Sequence, residues 1–241
     1  MPDKTHREVK EPQISARSLA DYMAASEQAR RTIVRGCKYQ PRARVIQHDE
    51  AKLAVGKYIR TGGGVVAPLK AAAQELRNRM ADGDFDRDLF DHNADYIDRF
   101  AKVAPTFTLP EGERLAPGQS PALLLHGVKV NTELAFRLRR LTKTNKVRTG
   151  AGILRYAKGK ALSEAVALWQ AAFLVGYLRS LLPPHDKVEV ELALRLAVDA
   201  YSGIAHPAPT DSVRRFNNIE AACASIRERW PNIEPPPGAV L

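Results

Sequence analysis

Apolar residues recur at helical spacing through the first hundred residues of the chain. Leu19, Tyr22 and Met23 share one face of a segment that Ser15 can cap, so we expect a helix over residues 15–29. The same spacing predicts further helices over residues 48–60, 68–81 and 86–102. Together these elements predict a helical region over residues 14–104, preceded by a polar leader over residues 1–13.

The pattern changes after a segment rich in proline and glycine, residues 105–121, which we interpret as a connector. Within residues 132–141, Leu134, Phe136 and Leu138 alternate with polar residues, as is typical of a half-buried strand. Further elements are expected in the order strand (122–130), this strand, strand (150–157), long apolar helix (162–182), strand (192–205) and helix (210–230). The chain is therefore predicted to be α+β, with a strand-rich core over residues 122–230 and a Pro-rich tail over residues 231–241.

Composition places few limits on class but excludes some partners. The chain has 241 residues, 44% of them hydrophobic, enough to bury a substantial core. It contains no apolar run near the ~20 residues of a membrane span, and its charged N-terminus lacks an apolar signal core. With only two cysteines, Cys37 and Cys223, a disulfide framework is not expected. These features predict a cytoplasmic protein without a membrane partner.

Charge is concentrated in one segment. The chain carries a net charge of +10, and between Lys129 and Lys160 ten basic residues face a single acid, Glu133. A folded ribbon of this kind favours a polyanionic partner, and we expect nucleic acid, with DNA favoured over RNA. The expected phosphate contacts on this ribbon are Arg137, Arg139, Arg140, Lys143, Lys146, Arg148, Arg155 and Lys158. Arg30, Arg31 and Arg35 form a second basic cluster that we expect to extend the contact.

Two other interpretations of the basic ribbon stay open. It can be an ordinary solvated surface, or it can dock on an acidic protein, with the protein acting as an adaptor among other subunits. A protein that binds nucleic acid in this way could also be a subunit of a larger nucleoprotein or defence complex.

Metal and cofactor patterns are weak. Asp82, Asp84, Asp86 and Asp88 alternate as in a calcium loop, but Arg87 and Asn93 stand where glycine and glutamate are required, so helix capping explains them better. The histidines share no ligand spacing with one another or with cysteine, and the glycine run 62–64 lacks a following lysine–serine pair. We therefore predict neither a metal nor a cofactor.

The element order over residues 122–230 resembles the core of the PD-(D/E)XK nuclease superfamily, including its RecB-like and Cas4-like branches. In that family an acid on the second core strand and a Glu-x-Lys triplet on the third hold a divalent metal that activates water. Glu133 falls at the place of the first acid, but the third strand, residues 150–156, contains no acid. The resemblance implies a nuclease-like domain that has lost catalysis and kept a nucleic-acid surface.

The competing interpretation is a magnesium-dependent nuclease whose acids come from unmatched positions, Glu133 with Asp199 or Glu164. Asp199 lies within a predicted strand between Val198 and Ala200, and we favour a buried salt bridge with a nearby arginine as the explanation of this acid. The N-terminal phrase over residues 14–23, followed by two arginines, resembles bacterial proteins of unassigned function, which implies a bacterial origin and no activity.

Overall fold

The structure of the protein is a computed structural model that describes residues 4–43, 45–182 and 188–241. The described residues form seven α-helices: α1 (Ala16–Ala24), α2 (Glu27–Lys38), α3 (Asp49–Arg60), α4 (Ala67–Asn78), α5 (Asp84–Val103), α6 (Glu164–Leu181) and α7 (Ser212–Arg229). They also form ten strands: β1 (His6–Glu8), β2 (Gln13–Ser15), β3 (Tyr39–Pro41), β4 (Glu113–Leu115), β5 (Leu123–Leu125), β6 (Val128–Asn131), β7 (Phe136–Leu141), β8 (Val147–Arg155), β9 (Val188–Asp199) and β10 (Ile204–Pro207). Short 3₁₀ turns at Ala104–Thr106 and Trp230–Asn232 follow α5 and α7.

A five-stranded sheet in the order β10-β9-β8-β7-β4 organises the molecule. Strands β8 and β9 are parallel and the helix α6 lies between them in the chain, while the other neighbours in this sheet are antiparallel. Phe136 and Leu138 bury one face of the sheet against α3, α4 and α5. Ala151 and Ile153 bury the other face against α1, α6 and α7, together with a second sheet in the order β2-β6-β5.

The α+β class is confirmed, with the helices concentrated before residue 104 and most strands after residue 110. The sequence also located α3 to α7 to within a few residues. Ser15 caps α1 as expected, since its side chain accepts a hydrogen bond from the Ser18 N–H, and Ser163 caps α6 in the same way. Apolar spacing therefore predicted α3 to α7 correctly. The capping expected of the aspartates at residues 82–88 was wrong, because α5 has Gly83 at its N-cap and no side-chain cap.

Several expected elements are divided in the structure. The helix expected over 15–29 breaks before Ser26, which caps α2 separately. The strand expected over 122–130 is a hairpin, because His126 and Gly127 both have positive φ and turn the chain between β5 and β6. The strand expected over 192–205 is the β9–β10 hairpin, and β9 begins four residues earlier.

The expected domain boundaries also differ from the arrangement of the fold. The leader contains β1, and β2 pairs with β6 of the C-terminal region. The connector contains β4, which pairs with β7. The Pro-rich tail returns to the N-terminus, where the Thr5 N–H donates to the Val240 carbonyl (2.9 Å). The N- and C-terminal parts are therefore interleaved, and the first three residues of the leader lie outside the described residues.

Strand β9 contains a bulge between Val190 and Arg195. The pairing with β8 shifts between Thr149 and Ala151, which leaves extra residues in β9 before Arg195. The Arg195 side chain is buried, and its guanidinium donates to the carbonyls of Glu191 (2.9 Å) and Val190 (2.6 Å). Because burial removes water from this cation, its pKa falls to about 10. Arg195 thus holds the bulge closed from inside the strand.

Candidate nucleic-acid interface

The basic ribbon is the antiparallel hairpin of β7 and β8, joined by residues 142–146. Its turn is closed by two backbone hydrogen bonds, from the Thr142 N–H to the Lys146 carbonyl (2.9 Å) and from the Asn145 N–H to the Thr142 carbonyl (3.0 Å). The Lys146 N–H also donates to the Thr142 hydroxyl (3.1 Å). Asn145 takes the left-handed conformation (φ 56°) that such turns need and that asparagine tolerates. The tip is therefore a defined turn.

Pairing across the hairpin divides its outer part into two faces. Residues opposite each other on antiparallel strands project to the same side. Arg140 lies opposite Arg148, and we call their side, with the adjoining Lys146, the paired face. Alternate positions Arg137, Arg139 and Leu141 project to the other side, which we call the open face. Each face therefore carries a different set of the predicted contact residues.

Carboxylates from β9 neutralise most of the paired face. Glu191 accepts two hydrogen bonds from the Arg140 guanidinium, one of them at 2.9 Å. Glu189 binds Lys146 (3.2 Å) and also Arg148. The hydrogen bond from Lys146 and the charge of Arg148 lower the pKa of Glu189 below its ordinary value, so it remains ionised at neutral pH. Three cations thus face two carboxylates on this side.

The cations of the open face and the tip have fewer carboxylate partners than those of the paired face. The Arg137 guanidinium donates to the Gln119 carbonyl (3.1 Å), and its buried Nε has no hydrogen-bond partner among the described residues. Arg139 reaches a carboxylate, that of Glu113, only at 3.9 Å. Lys143, exposed at the tip, has no ion pair with any residue in the described part of the chain. These three cations can therefore accept an external anion.

The open face also carries an apolar residue. Leu141 is 63% exposed although it lies within β7, opposite the partly buried Val147. An exposed leucine among cations is compatible with contact to the sugars of a nucleic acid backbone, and a single exposed leucine is also normal on protein surfaces. Leu141 by itself therefore does not decide between partners.

Two predicted contact residues lie at the opposite end of β8. Arg155 is eight residue steps from Val147, about 26 Å along an extended strand. Its guanidinium binds Asp21 of α1 (2.6 Å) and the side-chain oxygen of Gln170 of α6 (3.4 Å). Lys158 binds Asp95 of α5 (2.8 Å), and this hydrogen bond lowers the pKa of Asp95. Both cations are therefore engaged by acids of the helical layers, away from the hairpin tip.

The N-terminal cluster is separate as well. Arg30 donates to the carbonyls of Tyr22 (2.9 Å) and Met23 (3.2 Å), which satisfies the C-terminal end of α1. Arg31 lies 3.7 Å from the Glu27 carboxylate. Together with Arg35 these residues line a pocket that includes no residue of the hairpin. The pocket therefore groups these arginines with residues of α7 and not with the hairpin.

The two acids of the nuclease interpretation are each engaged by other groups. Glu133 lies in the loop before β7 and binds Arg17 (2.7 Å) and Lys52 (3.1 Å). Asp199 is 1% exposed, and its carboxylate accepts from the backbone N–H groups of Leu162 (2.9 Å) and Tyr201 (3.0 Å). The expectation that an arginine pairs with Asp199 was wrong, because the chain itself supplies the donors.

Metal ligands are not assembled around these acids. Glu164, the other acid of that interpretation, is exposed in the first turn of α6. Over residues 4–43, 45–182 and 188–241, no three His, Cys, Asp or Glu side chains are grouped so that they could hold a metal ion. His185 lies outside these ranges.

Sequence reasoning missed the acids that surround the hairpin. Glu189 and Glu191 precede the predicted start of β9, and Glu113 lies in the expected connector. The alternation of Glu189 and Glu191 with valines was the available signal, because it extends the strand pattern toward the hairpin. The missed acids decide which cations remain unpaired.

Comparisons with known proteins do not assign the chain to a family. Neither a scan against models of protein families nor a search of curated proteins finds a match. Within the described residues, no helix has the length and apolar content needed to cross a membrane.

Proposed function

We propose that the protein binds nucleic acid without cleaving it, through the open face and tip of the β7–β8 hairpin, with duplex DNA as the favoured ligand. The observation that supports this proposal is the uneven pairing of the hairpin cations. Among the described residues, Arg139 has one distant carboxylate partner, Glu113, and Arg137 and Lys143 have none, whereas Glu189 and Glu191 pair with the cations of the paired face. Unpaired cations on a defined turn suit the oxygens of a phosphate backbone.

The chemistry of the open face favours backbone contact over base recognition. Arginine can bind a phosphate through two parallel N–H donors, and lysine acts as a point charge beside it. The open-face positions of β7 and the turn carry no aromatic side chain on which bases could stack. We therefore expect binding to depend weakly on sequence.

The surroundings of Glu133 and Asp199 support a non-catalytic role. Recruiting Glu133 to a metal would release Arg17 and Lys52, and recruiting Asp199 would take the acceptor from the partly buried backbone N–H groups of Leu162 and Tyr201. We expect single- and double-stranded DNA and RNA to remain intact with the protein and magnesium or manganese. Cleavage that Glu133→Gln or Asp199→Asn abolishes would replace the proposal with the nuclease interpretation.

The proposal is tested by the salt dependence of binding. Three phosphate contacts predict that the logarithm of the binding constant falls with the logarithm of salt concentration with a slope of about −2.7. Affinity for a mixed-sequence duplex should therefore fall about 40-fold between about 50 and 200 mM salt, measured by fluorescence anisotropy. Binding that is absent at low salt, or that does not change with salt, would contradict the proposal.

A further inference from the structure

A pocket of about 450 Å³ lies between α2 and the C-terminal end of α7. Val34, Ile226 and Ile233 contribute apolar surface to its lining. Arginines from both helices line it too: Arg30, Arg31 and Arg35 from α2 and Arg229 from α7. Its volume lies within the range of about 300–1,000 Å³ that is usual for small-molecule sites. The pocket thus combines apolar walls with a few cationic groups, as such sites commonly do.

The arginines differ in whether their donors are used. Arg30 donates to main-chain carbonyls at the end of α1. Arg229 donates to Glu27 (2.8 Å), which also pairs with Arg31 at 3.7 Å. The Arg35 side chain makes no hydrogen bond or ion pair with another residue in the described part of the chain, and its Nε is buried without an acceptor. A buried donor without a partner is unfavourable, and an incoming acceptor would satisfy it.

We propose that this pocket binds a small organic anion, a carboxylate or phosphate head on an apolar body. Arg35 receives the head, and Val34, Ile226 and Ile233 contact the body. Glu27 acts as an internal competitor, because it already accepts from Arg229 and lies beside Arg31. The proposal is independent of nucleic-acid binding by the hairpin.

The acids of the pocket explain why we infer a small ligand here and not a phosphate backbone. Glu228 and Glu234 also line the pocket and are exposed. A polyanion that passed over the rim would meet these carboxylates, whereas a ligand with one anionic group can enter between the apolar walls. Charge and shape therefore both favour a compact anion.

The test uses three matched probes: hexanoate, hexyl phosphate and the neutral 1-hexanol. Each is titrated into the ¹⁵N-labelled full chain while amide shifts are recorded. We expect at least one anion to give saturable shifts at Val34, Ile226 and Ile233, with hexanol about tenfold weaker or more. The tighter of the two anions identifies the head group. Failure of both anions to shift these amides, or equal binding of hexanol, would overturn the proposal.

Variants test the two charged roles in opposite directions. Arg35→Gln should weaken the bound anion about tenfold, whereas Glu27→Gln should tighten it by removing the competitor. Arg214→Gln is the matched control, since Arg214 is an exposed arginine near the start of α7 that pairs with Asp211 outside the pocket. Thermal melts confirm that each variant folds. Equal effects of Arg35→Gln and Arg214→Gln, or weaker binding by Glu27→Gln, would contradict the assigned roles.

Discussion

Basic residues lie at both ends of strand β8, but the two groups differ in how many carboxylates pair with them. At its C-terminal end, Arg155 and Lys158 meet Asp21 of α1 and Asp95 of α5 at 2.6 and 2.8 Å. At its N-terminal end, residues 143–146 of the hairpin turn are exposed, and among the described residues only the paired face meets acids at close range. The comparison shows that charge density along the sequence is not charge density in space.

The two ends are also expected to differ in what their cations contribute. The Arg155 side chain is 14% exposed and satisfies groups on two helices, so it belongs to the packing of the fold. The Arg139 side chain is 50% exposed and has one long ion pair. Surface pairs of that kind contribute about 0–1 kcal/mol. We therefore expect the cations at the C-terminal end of β8 to contribute to the stability of the fold and those at the hairpin tip to contribute to ligand binding.

The largest expected effect is on the free energy of unfolding, when one arginine at each end of β8 is replaced in turn. Arg155→Met should lower the free energy of unfolding by about 2 kcal/mol, because it leaves Asp21 without its cation and Gln170 without a donor. The value is below that of a fully buried pair, since Asp21 is 41% exposed. Arg139→Met should change it by less than about 0.5 kcal/mol. Urea unfolding followed by circular dichroism measures the free energy of unfolding of both variants. Equal destabilisation by the two changes would contradict the proposed difference between the two ends of β8.

The sequence predicted strands β7 and β8 better than it predicted the residues that contact them. Period-two alternation at Leu134, Phe136 and Leu138 located β7, although the first residues of the expected strand form a loop that contains Glu133. Local patterns could not show that Asp21, 134 positions before Arg155, becomes its partner. Such pairs depend on how α1 packs on α6, which no short window of sequence contains.

The sequence indicated which hairpin cations are exposed but not which of them have carboxylate partners. Lys143 and Arg139 are exposed, as the pattern indicated. Arg140 and Arg148 appeared equivalent to them because their counter-ions lie on β9, across the crossover helix. Glu189 lies opposite Arg148 in the parallel pairing of β8 with β9, a long-range pairing for which sequence periodicity offers no signal.

Removing the acids of β9 should raise the affinity for duplex DNA, whereas removing cations should lower it, and the effect should be smaller than that of the arginine replacements. The double change Glu189→Gln with Glu191→Gln frees Arg140, Lys146 and Arg148, so duplex affinity should rise about three- to tenfold. Its control removes two exposed acids elsewhere, Glu75→Gln with Glu164→Gln, with the same change in net charge.

Anisotropy at one fixed salt concentration compares the two double variants. Equal gains would mean that net charge alone governs binding, and no gain would mean that the freed cations of the paired face do not reach the ligand.

The central claim, that binding depends on the open face and tip, is tested most directly by two triple variants of equal charge. One replaces Arg137, Arg139 and Lys143 by glutamine, and the other replaces Arg140, Lys146 and Arg148. The slope of the logarithm of affinity against the logarithm of salt counts phosphate contacts, at about 0.9 for each. We predict that the first triple variant lowers the magnitude of the slope by about 2.7 and that the second leaves it nearly unchanged. Equal slopes for the two variants would contradict the account.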